Sequence, residues 1–152
     1  MIVKRMLVLA VFAFVVHVAA RAQDRGFGLG VILGEPTGIS GKYWVSTRNA
    51  IDGGMAWSFR NEGFFHLHAD YLWHFPLQTH SAERFNFYTG VGGRFGAQAH
   101  DALLGVRFVG GFALWPRNTP IDIFVEFAPI LDLVPATEMS ANGGIGARFF
   151  FH

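Results

Sequence analysis

The sequence predicts an all-β protein: an eight-stranded antiparallel up-and-down transmembrane β-barrel, preceded by a cleavable signal helix. Apolar residues alternate with small or polar residues through most of the chain, which is typical of strands that have two different faces. The chain contains 19 glycines and is 16% aromatic, which favours strands and tight turns over helices. It also ends on an alternating stretch with aromatic side chains, residues 145–151.

The first segment predicts a secretory signal peptide over residues 1–22. Lys4 and Arg5 form a short basic region, and residues 6–20 are apolar except for His17. Ala20 and Ala22 then offer the small side chains that a signal peptidase requires. A transmembrane anchor is disfavoured because the apolar run is shorter than the roughly 20 residues that a spanning helix needs. A single barrel domain is expected over residues 23–152.

The composition excludes several classes of function. Twelve Lys and Arg residues nearly balance eleven Asp and Glu residues, so nothing indicates the basic patch that a nucleic-acid partner requires. The chain has no cysteine, which excludes disulfides and thiolate metal sites. We therefore expect no cofactor and no nucleic-acid partner.

The first four strands are predicted over residues 26–34, 37–46, 50–59 and 64–74. Turn-forming residues separate them at positions 35–36, 46–49 and 60–63. Each strand has one apolar face, and the residues that form these faces are, in chain order, Phe27, Leu29, Val31 and Leu33; Ile39, Tyr43 and Val45; Ile51, Met55, Trp57 and Phe59; Phe65, Leu67, Tyr71 and Trp73.

The last four strands are predicted over residues 85–95, 103–115, 121–129 and 140–151. The breaks before and between them fall at residues 76–84, 96–102, 116–120 and 130–139. Their apolar faces are formed by Phe85, Phe87, Val91 and Phe95; Leu104, Val106, Phe108, Phe112 and Leu114; Ile121, Ile123, Val125 and Phe127; Ile145, Phe149 and Phe151.

The apolar faces are predicted to point outward. An eight-stranded barrel has an interior only just wide enough to be filled by side chains, and this apolar set is too large and too aromatic for it. A two-sheet sandwich could hold more, but it would leave many glycines exposed on its outer faces. A barrel that turns its apolar face to lipid meets neither difficulty, and its strands of about ten residues can span a bilayer.

Aromatic residues are expected to form girdles at the two membrane interfaces, as they do in transmembrane barrels. The predicted girdle residues are Tyr43, Trp57, Phe59, Tyr71, Trp73, Phe85, Phe87, Phe149 and Phe151.

The apparent signal, the eight alternating strands and the aromatic last strand resemble the small outer-membrane barrels of the OmpA transmembrane-domain and OmpX type. Residues 34–44, followed by 49–53 and 56–59, are also similar to segments of uncharacterised small barrels in Gram-negative bacteria. The resemblance implies the bacterial outer membrane as the location and membrane lipid as the surroundings, with both termini in the periplasm. It also implies that the assembly machinery reads the last strand, where Phe149 and Phe151 are the candidate assembly signal.

The inward faces carry charges of both signs. The predicted lumen cations are Lys42, Arg94, Arg107 and Arg148, and the predicted anions are Asp52, Asp70, Asp122 and Glu126. Because buried charges must be paired or solvated, we expect an internal salt-bridge network in which the arginines donate to Asp70, Asp122 and Glu126. These pairs either close the lumen permanently or rearrange to open a narrow or gated path for water, ions or small solutes.

Three residues of the fourth strand form a weak candidate metal site. His66, His68 and Asp70 share a face because alternate strand residues do, so two imidazoles and a carboxylate could meet one divalent ion. His74 lies too far along the strand to join them easily. The alternative is a polar lumen lining in which neutral histidines hydrogen-bond to carboxylates, and the pattern favours this alternative.

The sequence predicts no enzyme. A lipid-modifying barrel would need a histidine beside a serine or a carboxylate at the lipid-facing surface, whereas the strand histidines point inward. Ser58 and Ser81 lack an evident partner, and His80 and His100 lie in loops. The favoured function is a monomeric structural or surface-interaction barrel that offers residues 60–63, 96–102 and 130–139 to a partner whose identity the sequence does not reveal. A pore is the alternative.

Overall fold

The computed structural model describes residues 26–35, 37–58, 64–98 and 101–151. The predicted signal peptide, the candidate contact loop at residues 60–63, Phe59 and His100 lie outside the described residues. Each strand is antiparallel to the next in sequence order, and the eighth pairs with the first to close a barrel. The strands are β1 (Phe27–Glu35), β2 (Thr37–Trp44), β3 (Asn49–Ser58), β4 (Phe64–Leu77), β5 (Arg84–Gln98), β6 (Asp101–Trp115), β7 (Ile121–Val134) and β8 (Glu138–Phe151).

Closure depends on the last strand. The β1–β8 register runs from Phe27 opposite Phe151 to Glu35 opposite Gly143, which is the whole length of β1. A closed sheet leaves no unpaired backbone edge, and an unpaired edge is what a hydrocarbon environment cannot tolerate. The predicted fold class, an all-β eight-stranded antiparallel up-and-down barrel, is confirmed.

The two faces of the sheet sort as predicted. Along β7, for example, Ile121, Ile123, Val125 and Phe127 are exposed on the outside while the alternate residues are buried inside. Large apolar side chains cover the outer surface of the other strands as well, including Leu29, Met55, Leu67, Phe95 and Phe108. Among the described residues, no helix is long and apolar enough to cross a membrane.

Several strands are longer than the sequence predicted. β4 runs to Leu77, β5 continues to Gln98 and β6 begins at Asp101, so most of the predicted 96–102 loop is strand. β7 continues to Val134 and β8 begins at Glu138, which leaves only residues 135–137 as the turn where a loop over 130–139 was expected. Pro129, the last residue of the predicted seventh strand, pairs in register with Ala141, and the pairing continues beyond it to Asp132 opposite Glu138. Hydrogen bonding to neighbouring strands extends these segments, and a local sequence pattern does not contain that information.

The barrel has two distinct ends. The terminal end holds Phe27 and Phe151 together with the turns at residues 45–48, 78–83 and 116–120. The far end holds the turn at residues 135–137, the end of β5 and the start of β6. β1, β2 and β3 are shorter than the other five strands, so the wall formed by β4–β8 is the longer part of the barrel.

Candidate functional site: the charged lumen

Arg107, on β6, joins a carboxylate of β4 to a carboxylate of β7 inside the barrel. Its Nε donates to both carboxylate oxygens of Asp70, at 3.2 and 3.1 Å, and its Nη2 donates to Glu126 Oε1 at 2.9 Å. The hydroxyl of Tyr88 donates to the other oxygen of Glu126 at 3.2 Å. Since Asp70 lies on β4 and Glu126 on β7, the guanidinium connects strands that are distant in the sheet.

Arg148 forms a second group of contacts nearer the terminal end. Its Nε donates to Ser40 Oγ at 2.9 Å and its Nη2 donates to Asp52 Oδ2 at 3.0 Å. Its Nη1 lies 3.7 Å from Asp122 Oδ2, and its guanidinium carbon lies 3.8 Å from the ring centroid of Phe124. The side chain is almost fully buried, so these contacts replace its hydration.

Lys42 and Asp122 form a looser pair beside Arg148. Lys42 Nζ lies 3.5 Å from Asp122 Oδ2, and it also lies over the rings of Trp44 and Tyr88 at 4.9 and 5.2 Å. Neither oxygen of Asp122 accepts a hydrogen bond from any described residue. Asp122 is therefore held by charge alone, at longer distances than the other lumen carboxylates.

Arg94 contacts a carboxylate that the sequence analysis missed. Its Nε donates to Asp132 Oδ1 at 2.8 Å, its Nη2 contacts Asp132 Oδ2, and Ser140 Oγ donates to the same oxygen at 2.8 Å. Asp132 was expected in a loop because the predicted seventh strand ended at residue 129. Strand alternation could have placed it in the lumen, because position 132 differs by an even number from positions 122 and 126 and alternate residues share a face.

The predicted pairing is thus partly rearranged. The sequence analysis paired three arginines with Asp70, Asp122 and Glu126. In the structure Arg107 contacts two of these carboxylates and Arg148 the third, while Arg94 contacts Asp132. Asp52, predicted without a named partner, is bound by Arg148. All eight predicted lumen charges are buried inside the barrel.

In four of these hydrogen-bonded pairs, a glycine lies on the strand between the two partners. Asp70, Gly92 and Arg107 occupy one cross-strand row, so the arginine reaches the aspartate over a residue without a side chain. A Cβ at Gly92 would overlap Asp70 Oδ1. The same arrangement recurs in three further rows: Tyr88–Gly111–Glu126, Arg94–Gly105–Asp132 and Ser40–Gly30–Arg148.

The interior also contains apolar side chains, whereas the prediction for the inward faces named histidines and charged residues. One buried cluster lies in mid-barrel and another at the terminal end, where the rings of Trp44 and Trp115 meet edge to face with centroids 5.4 Å apart. The sequence analysis missed them because strands with apolar residues on both faces show no clear alternation. The members are Leu72, Tyr88, Val109, Ala113, Phe124 and Ala128 in mid-barrel, and Trp44, Ala50, Trp115 and Phe150 at the terminal end.

The candidate metal ligands are arranged differently from the prediction. His66 Nε2 lies 3.1 Å from His68 Nδ1, and His68 Nε2 lies 4.0 Å from Asp70 Oδ2. Asp52, rather than His66, completes a group with His68 and Asp70 whose ligand atoms all lie within 4.8 Å of one another. Both carboxylates of this group already accept hydrogen bonds from arginines, which favours a polar lining over a divalent ion.

The predicted girdle residues that the structure describes lie on the outer surface. Tyr43, Trp57, Tyr71, Trp73 and Phe85 are exposed, and Phe87, Phe149 and Phe151 are partly exposed. Neighbouring rings contact each other, with 5.0 Å between the centroids of Tyr71 and Trp73 and 5.1 Å between those of Phe149 and Phe151. Phe75, also exposed, extends this surface and was missed because the sequence analysis ended the fourth strand at residue 74.

Comparisons with known proteins show similarity in fold alone. No protein-family model matches the sequence, and no curated protein matches it. The crystal structure of Neisserial surface protein A is similar, with a TM-score of 0.52 at 12% sequence identity, over 82% of this chain and 93% of that one. The chain therefore has the fold of a small outer-membrane β-barrel, as its sequence predicted.

Proposed function

We propose that this protein is an integral outer-membrane barrel with a structural or surface-interaction role, and that ion pairs close its lumen. The observation that carries the proposal is the burial of two bridging arginines: Arg107 is 1% exposed and Arg148 is 2% exposed. Each contacts two carboxylates in the barrel centre. A channel that carries water would leave such groups hydrated.

The energetics of the lumen support closure. An ion pair that separates without water to replace the contact leaves an uncompensated buried charge, which costs about 3–5 kcal/mol. Opening the lumen means separating the pairs of both Arg107 and Arg148 and also displacing the buried ring of Phe124. Towards the terminal end, the rings of Trp44, Trp115 and Phe150 form a further apolar layer.

The far end is the proposed surface for a partner. The β7–β8 hairpin carries exposed apolar residues near its turn, and Met139 is 80% exposed. Leu133 and Val134 are exposed beside it on β7. The candidate contact surface is therefore the end of the β7–β8 hairpin around residues 133–139, in place of a loop over residues 130–139. The partner is not specified further.

The proposal also includes lipid, the assembly machinery and a monomeric state. Membrane lipid is the expected surroundings of the apolar outer face, and Phe149 and Phe151 on β8 are the proposed assembly signal. A monomer is expected because a closed barrel offers no free strand edge to a second copy. No catalytic role is proposed, since His66 and His74 are buried in the lumen and Ser81 bonds Thr79 in an exposed loop.

One observation favours the alternative, a narrow or gated pore. Among the described residues, Asp122 has just two charge partners, Lys42 at 3.5 Å and Arg148 at 3.7 Å. If the lumen opens, the contacts of Asp122 with Lys42 and Arg148 would separate first.

Planar-bilayer conductance of the purified barrel separates the two functions. Under the closed-lumen proposal, the wild-type protein and Asp122→Asn both give no channel current. Under the pore alternative, the wild type gives steady single-channel current and Asp122→Asn opens more often, because Lys42 and Arg148 lose their shared counter-charge. Folding of both proteins is checked by heat-dependent electrophoretic mobility, so that an absence of channel current cannot be due to an unfolded sample.

A further inference from the structure

A cavity of about 310 Å³ lies at the terminal end of the barrel. The ends of β2, β4, β5 and β6 and the turn at residues 45–48 form its walls. A water molecule occupies about 30 Å³ of liquid, so the space is sufficient for a small polyatomic anion with its remaining waters. None of the eight predicted lumen charges lines it.

The charges on the cavity wall are positive. Arg48 and Arg84 both line it, and no carboxylate does among the described residues. Arg84 is positioned by Trp115, since its guanidinium carbon lies 4.6 Å from the centroid of that ring. Lys42 adds charge from behind the wall, with Nζ 4.9 Å from the ring centroid of Trp44.

Three residues that line the cavity carry buried hydrogen-bonding atoms that have no partner among the described residues. Trp44 Nε1, Trp115 Nε1 and both ring nitrogens of His74 are buried, and none has a hydrogen bond to a described residue. An indole N–H can only donate, so its partner must supply an acceptor atom. Buried polar groups are nearly always paired, and three unpaired residues beside one cavity therefore call for an explanation.

We propose that this cavity binds an oxyanion of the phosphate type. Two guanidinium groups that line one space, with no carboxylate among the described lining residues, match an acceptor with several oxygens and negative charge. The oxyanion is either free phosphate or the headgroup of a phospholipid, because Leu77 and Phe85 line the same cavity and are exposed on the outer surface. The site is independent of the lumen charges, so it stands whether or not the lumen conducts.

The four tryptophans of the chain make the test selective. The full chain is labelled with ¹⁵N, folded in a non-ionic detergent without phosphate and titrated with inorganic phosphate at constant ionic strength. The indole N–H resonances of Trp44 and Trp115 should shift together and saturate. Those of Trp57 and Trp73, which lie exposed on the outer surface, should not move.

Variants that remove one positive charge test whether the shift of the indole resonances is caused by phosphate bound in the cavity. Arg48→Gln and Arg84→Gln should each raise the half-saturating phosphate concentration by about tenfold, the equivalent of one charge-assisted contact. Arg117→Gln is the matched control, because Arg117 is exposed in the 116–120 turn at the same end but does not line the cavity. Heat-dependent mobility confirms that each variant is folded, and Arg48 lies in an exposed turn where substitution leaves the strands intact.

Two results would overturn the proposal: no saturable shift of Trp44 and Trp115, or equal effects of the Arg117 and Arg48 substitutions. A second titration uses short-chain phosphatidylglycerol in place of phosphate. Tighter saturation by the lipid identifies a headgroup as the ligand, and tighter saturation by phosphate identifies the free ion.

Discussion

At the scale of single residues, the lumen depends on glycines that lie between hydrogen-bonding partners. Neighbouring strands lie about 4.8 Å apart, so partners two strands apart must reach over the strand between them. Gly92 and Gly111 leave that path open for Arg107–Asp70 and for Tyr88–Glu126. The inward glycines thus make room for long polar side chains.

Gly111→Ala should destabilise the barrel, whereas Gly110→Ala should not. A Cβ on Gly111 would overlap the phenol ring of Tyr88 and the carbonyl oxygen of Val125, while a Cβ on Gly110 meets nothing within 4 Å. Overpacking of this kind costs about 1–3 kcal/mol. Urea unfolding of the two variants in the same detergent measures the difference, and equal midpoints would show that the Tyr88 contact is not tightly packed.

Glu126→Gln should lower the free energy of unfolding by about 1–3 kcal/mol, because Arg107 loses the charge of one of its two carboxylates. Glu138→Gln is the control, since Glu138 is exposed at the start of β8. The unfolding midpoint in detergent is the measurement. An unchanged midpoint for Glu126→Gln would argue that the lumen pairs contribute little to stability.

At the scale of elements, the long strands β4–β8 bring polar side chains together near the far end. Asp132, on the extension of β7, meets Arg94 from β5 and Ser140 from β8. Three strands are thereby tied together beyond the point where the sequence pattern ended β7.

Asp132→Ala should loosen the end of the β7–β8 hairpin. Removing the carboxylate leaves Arg94 without this contact and exposes the last backbone hydrogen bonds of β7 to opening. Amide hydrogen exchange of Leu131 and Leu133 should accelerate by about tenfold or more, whereas exchange at Ile123 should not change. Glu138→Ala is the control, because Glu138 lies opposite Asp132 in the register but is exposed.

The last strand provides a test of the proposed assembly signal. Phe151 on β8 and Phe27 on β1 lie opposite each other at the terminal end, so they share nearly the same depth in the membrane. Phe151→Ser should slow insertion by the assembly machinery severalfold, while Phe27→Ser, with a similar loss of apolar surface, should slow it less. Both variants should fold alike in detergent. Equal insertion rates would show that the aromatic ending acts only through lipid contact.

At the scale of the whole molecule, the outer surface defines the solvent that the barrel requires. Large apolar side chains are exposed around the closed sheet, a distribution that a monomer in water does not maintain. The folded chain should therefore need detergent or lipid.

Val125→Arg should destabilise the barrel in lipid vesicles by about 2–4 kcal/mol, and Val134→Arg by about 0–1 kcal/mol. Val125 lies within β7 and Val134 is its last residue, and both are exposed on the outer surface. The cost of placing a charge on the outer surface falls with distance from the bilayer centre. Because both variants introduce arginine, the difference between them reports how deep positions 125 and 134 lie in the membrane. Equal unfolding free energies would contradict a transmembrane orientation.

Much of this architecture could be predicted because strand parity is a local property. Once alternate residues lie on opposite faces, the sequence alone places Lys42, Arg107 and Arg148 on one side and Val125, Phe127 and Phe149 on the other. The excess of bulky apolar residues then indicates which side meets lipid, since a small barrel cannot contain them. Fold class, strand number and the inward position of the charged residues follow from that reasoning.

Partner choice across the lumen was decided by the tertiary structure alone. Whether Arg94 meets Asp132 or Asp122 depends on the register between strands, on the curvature of the closed sheet and on which inward glycine leaves a path. The same holds for the cavity at the terminal end, because Arg48, His74 and Trp115 come from three separate segments. Alternation along one strand carries no information about the strand that faces it across the barrel, and only closure of the sheet brings these side chains together.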